Sequence, residues 1–108
     1  MKSMTKSVSA LAKEFLDGFN KKIKLNSLDM IEVFVSQKRD VSDDSFAGVY
    51  GWANVDTDAP VGYSIEWKKD SHSVVDVMKE IESQLQNEFL GKIKPLKDGV
   101  HLILKRIK

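Results

Sequence analysis

The chain has 108 residues, of which 42% are hydrophobic and 31% charged, with a formal net charge of +1 and no cysteine. That length suits one domain over residues 1–108 with a core of its own, and the composition is unlike that of a disordered segment. The lack of cysteine excludes a disulfide framework, a thiolate zinc site and a thiol nucleophile.

The charge is unevenly spread. Residues 1–25 carry +4, residues 26–91 carry −8 and residues 92–108 carry +5. Such asymmetry fits either a surface for an acidic partner or nucleic acid, or basic ends that pair with the acidic middle in the fold. The apolar stretch Val8-Ser9-Ala10-Leu11-Ala12 is broken by Lys13 and Glu14 before it reaches the length of a signal-peptide core. No apolar run approaches the roughly 18 residues of a membrane span, so a cytoplasmic location is the expectation.

In chain order, Val8, Leu11, Ala12, Phe15, Phe19 and Ile23 recur at spacings of three and four, predicting a helix over Ser7–Lys22. Gly18 inside it suggests a close neighbour. Alternation and β-branching predict a strand over Met30–Ser36, with Ile31, Val33 and Val35 on one face and Glu32, Phe34 and Ser36 on the other. Gln37–Ser45 reads as a loop. A second strand, Phe46–Asp56, presents small or branched residues (Ala47, Val49, Gly51, Ala53, Val55) on one face and Phe46, Gly48, Tyr50, Trp52 and Asn54 on the other. Asp56-Thr57-Asp58-Ala59-Pro60 has the composition of a turn. The third strand, Val61–Lys68, puts Tyr63, Ile65 and Trp67 on one side.

Asp70, Ser71 or Ser73 can cap a second helix, Ser73 with Asp76 three residues later making a capping-box pattern, and its buried stripe is Val74, Met78, Ile81, Leu85 and Phe89. Gly91 is the expected left-handed residue past its end, and Pro95 stops continuation. A last strand, Val100–Ile107, is apolar on both faces, so it must be central in the sheet or covered by another chain. The expected fold is α+β in two layers, order α-β-β-β-α-β: an antiparallel sheet of about four strands with both helices on one face.

Chemical motifs are sparse. Asp40-Val41-Ser42-Asp43-Asp44 lacks the glycine and glutamate of a calcium loop and reads as a solvated loop, while Asp56 and Asp58 are turn residues. His72 reads as an exposed residue at a helix start, and His101 as a strand residue that packs or hydrogen-bonds. Gly48-Val49-Tyr50-Gly51 lies within a strand pattern and is no phosphate loop. Nothing here calls for a metal, a cofactor or a catalytic residue.

The order α-β-β-β-α resembles that of double-stranded-RNA-binding domains, which carry Lys-Lys-x-Ala-Lys at the start of the second helix. Here that position reads Lys68-Lys69-Asp70-Ser71-His72-Ser73, without the Ala-Lys and with Asp70 of opposite charge. Glu66–Leu85, a strand and then an amphipathic helix, also resembles a piece of the ribosome-hibernation factors, whose opening strand is missing here. Neither likeness rests on a specific motif.

The aromatics are the most informative feature. If the small-residue face of strand two meets the helices, Phe46, Tyr50, Trp52 and Phe34 point away from them. The leading expectation is therefore a small non-enzymatic interaction module. It would self-associate or bind a protein through a sheet face or edge strand, with Phe46, Tyr50 and Trp52 in contact. The alternative is a nucleic-acid binder that stacks bases on the aromatics and tracks phosphates with Lys92, Lys94, Lys97, Lys105 and Arg106. Burial of the same aromatics in the core would remove both.

Overall fold

A computed structural model describes residues 6–22, 24–25, 28–35, 46–53, 61–96 and 99–107. Their elements are α1 (Val8–Lys22), β1 (Met30–Val35), β2 (Phe46–Ala53), β3 (Val61–Lys68), α2 (Val74–Gln84), β4 (Phe89–Leu96) and β5 (Gly99–Arg106). The loop expected over Gln37–Ser45 and the turn over Asp56–Pro60, with their carboxylates, lie outside the described residues.

Each helix forms where its sequence supplies both an apolar stripe and a cap. In α1 the Ser7 hydroxyl accepts from the Ala10 amide at 3.0 Å, meeting one of the amides a helix start leaves unpaired. Leu11, Ala12, Phe15, Leu16 and Phe19 are buried along one side. Past its end, the Asn20 side chain accepts from the Leu25 amide at 2.7 Å. In α2 the Ser73 hydroxyl accepts from the Asp76 amide, as the sequence predicts, and Val77, Met78 and Ile81 are buried.

The five strands form one antiparallel sheet in the order β3-β2-β1-β5-β4. The fold is α+β, with five strands rather than about four. The difference arises after α2. That helix stops at Gln84, with Leu85 as its C-cap, and the Leu85 carbonyl accepts from the amides of Glu88 and Phe89. Phe89 thus leaves the helical stripe and opens β4, still buried, and Gly91 lies inside a strand rather than at a helix end. Lys92-Ile93-Lys94 has the two-residue period of a strand, and Pro95 is tolerated because β4 is an edge. The apolar strand β5 lies between β1 and β4. In that interior position Leu102 and Leu104 are buried toward the helices, while Ile103 lies on the other face of the sheet.

Both helices pack on one face of the sheet, α1 against α2 and β3, and α2 against β2, β4 and β5. The core between the layers holds Phe15 and Phe19, stacked at 5.9 Å, with Ile31, Val33, Val49, Met78, Ile81, Leu102 and Leu104. Burying each such side chain contributes about 1.5–3 kcal/mol. Gly51 lets α1 approach: a methyl group there would overlap the Phe15 ring. Gly18 likewise meets the Tyr63 ring. No helix among the described residues is long and apolar enough to cross a membrane.

Candidate interaction surface

With the helices on one side, the register defines what the other side carries. Side chains alternate between the faces along each strand, so neighbours across the strands form rows. One row runs Ser64–Tyr50–Phe34–His101–Lys94 from β3 to β4. The next runs Gly62–Trp52–Glu32–Ile103–Lys92, followed by Met30–Lys105–Leu90. Phe46 lies on the same face, paired with Lys68. The expected aromatics are thus gathered on the helix-free face, where Phe34, Phe46, Tyr50 and Trp52 are all half-buried. The other Tyr and Trp face the helices: Tyr63 touches α1, and Trp67 is buried with its indole N–H donating to the His72 carbonyl at 2.8 Å.

Two local features shape this surface. The Tyr50 ring lies across Gly62, where any side chain would overlap the phenol. The ring therefore lies over the edge strand with one face against backbone. Next to it, Phe34 and His101 stack at 4.3 Å with planes 10° apart. His101 Nε2 stands 3.6 Å from Glu32 and has no hydrogen-bond partner among the described residues. This pair escapes sequence reasoning because Phe34 and His101 are 67 positions apart. Only the β1–β5 pairing, which brings the chain's end to its first strand, joins them.

At the other end of the face, Leu90, Gly91, Lys92, Lys94, Ile103 and Lys105 surround a depression of ≈ 380 Å³. Its three lysines are exposed, so its lining is part apolar and part cationic. Leu90 is 70% exposed, and Met30 and Leu96 nearby are 42% and 49% exposed. Arg106 does not join these lysines. Its Nε donates to the Leu28 carbonyl and its Nη2 to the Leu25 carbonyl, each at 2.7 Å, and its guanidinium lies 4.6 Å from the centre of the Phe89 ring. It ties the α1–β1 connection to β5. Lys97 lies outside the described residues.

The histidines are spoken for or isolated. His72 precedes the α2 cap, and its Nε2 bonds to the Lys6 carbonyl at 2.7 Å; a carbonyl only accepts, so that nitrogen carries the proton. No group of three or more His, Asp or Glu among the described residues is placed to hold a metal ion. A second depression, between α1 and Tyr63, is bordered by the ion pairs Lys6–Glu14 and Lys13–Asp17, which satisfy one another. No protein-family model matches this chain, and no curated protein or solved structure does either.

Proposed function

We propose that the chain is a non-enzymatic interaction module that self-associates through the helix-free face of its sheet. One observation carries this reading: Phe34, Phe46, Tyr50 and Trp52 share a face with Met30, Ile103, Leu90 and Leu96, and no element of the chain described covers it. Uncovered aromatic and aliphatic side chains gathered on one face mark interaction sites, and Tyr and Trp are the residues that carry their energy. Four strands of eight residues and one of six, side by side, make a face of at most roughly 26 by 24 Å, about 600 Å². Two such faces bury at most ~1,200 Å², the lower bound for specific interfaces. The sheet edges fit the role less well. β4 carries Pro95, Lys92 and Lys94, which are features that discourage strand addition.

Nucleic-acid binding is the second reading, favoured by the grouping of Lys92, Lys94 and Lys105. It ranks second because the aromatics of β2 are three strand spacings from the lysines of β4, roughly 14 Å. Glu32 lies between them, and Arg106 is engaged elsewhere. Sedimentation velocity over a range of concentrations, with and without a short single-stranded oligonucleotide, separates the two. Self-association predicts a mass that rises with concentration and is indifferent to the oligonucleotide. A monomer that shifts only with the oligonucleotide, less so in high salt, favours the second reading. A monomer under every condition overturns both.

A further inference from the structure

We propose that two copies stack face to face about a two-fold axis running along β1, so that Trp52 of each copy seats in the lysine-lined depression of the other. This rests on the self-association reading above and adds its geometry and its anchor residue.

The register leads to this arrangement. Trp52 and Ile103 flank Glu32 in one row, one strand to either side. An axis along β1 exchanges those two positions, laying Trp52 of one copy over Ile103 of the second. Ile103 and Leu90 supply the apolar part of the depression's lining, and Lys92, Lys94 and Lys105 the cationic part. An indole suits both parts: its edges and faces cover the apolar one, and ammonium groups are attracted to its π-system. A Trp inserted into a pocket near the centre of an interface is the usual form of an energetic anchor.

The other face-to-face symmetry has its axis across the strands. It lays β4 of one copy over β4 of the second, so lysines meet lysines and depression meets empty depression. Like charges so placed oppose association. The axis along β1 instead sets the cationic half of each face, β5 and β4, over the aromatic half, β2 and β3, of the other. It has one unfavourable feature: Glu32 faces its own symmetry mate on the axis, each carboxylate 3.6 Å from a His101 ring. That feature gives a second, independent test.

Because the chain has no cysteine, single-cysteine variants report the geometry cleanly. Ser64 and Lys94 end the same row on opposite edges, and both are exposed, so replacement leaves the core untouched. Ser64→Cys and Lys94→Cys are made separately, checked for native circular dichroism and dimer mass, and treated with a short bis-maleimide. The mixture should cross-link efficiently, while either variant alone should give little product. Ser64→Cys cross-linking to itself as strongly as to Lys94→Cys would overturn the proposed axis while leaving self-association standing. So would a dimer that fails to cross-link in the mixture. A wild-type monomer would remove both the axis and the reading beneath it. Glu32→Gln should tighten the dimer several-fold by removing the facing charges, and an unchanged or weaker dimer would contradict the arrangement.

Discussion

Two residues that a sequence reader passes over govern the surface and its support. Gly62 has no conformational reason to be glycine that the sequence reveals, yet the Tyr50 ring occupies the space any side chain would need. Gly62→Ala should displace that ring, whose outer end can shift on the open face at a cost below about 1 kcal/mol, and weaken self-association. Urea denaturation and sedimentation of the variant measure the two effects separately. Charge alone groups Arg106 with the C-terminal lysines. Its fork instead caps two carbonyls and lies on Phe89, contacts that come from residues far away in the chain. Arg106→Ala should therefore lower stability by about 2–3 kcal/mol, the scale for losing hydrogen bonds made by a charged group. Lys79→Ala, exposed on α2 and away from the open face, should change it by less than about 0.5 kcal/mol. A chemical-denaturation midpoint is sufficient to rank them.

At the scale of elements, what the sequence makes legible is what local chemistry determines. The period of α1, the alternation in β1 and β2, and the bounds of β3 need only neighbours in sequence, and the structure agrees with each over the described residues. The start of α2 is local too, since Ser73 and Asp76 form its cap. Ser73→Ala should accordingly cost about 1 kcal/mol, read as a fall in thermal midpoint. The end of α2 is where local reading fails. Leu85 and Phe89 continue the helical spacing, and Gly91 and Pro95 resemble a helix stop. Yet the Leu85 carbonyl closes a turn, and the residues beyond pair with β5. The partners in β5 lie three to seventeen residues downstream, from Leu96↔Gly99 to Phe89↔Arg106, so the alternation of Lys92-Ile93-Lys94 and the Asp98-Gly99 pair are local signals of a hairpin that the helical spacing of Leu85 and Phe89 masks. The candidate surface is legible in the same degree. The alternation of β2 places Phe46, Tyr50 and Trp52 together on one face, but their alignment with Phe34, His101 and Ile103 requires the strand order.

For the whole molecule, the sheet has one face covered by two helices and one face that the described chain leaves open, aromatic toward β2 and cationic toward β4. The basic residues of the two ends do not share one surface: Lys92, Lys94 and Lys105 meet on the open face, while Arg106 ties the α1–β1 connection to β5 and Lys13 pairs with Asp17 along α1. In the proposed dimer a second copy covers the open face at Trp52. The chain has only two tryptophans, and Trp67 is 6% exposed in the core. Any change in tryptophan emission on dilution of the folded protein therefore reports on Trp52. Self-association through this face predicts a red shift on dilution, as Trp52 leaves its partner for water, that follows the loss of dimer mass and is absent in Trp52→Phe. Emission that stays constant while the dimer dissociates would mean that the copies meet elsewhere and would contradict the account.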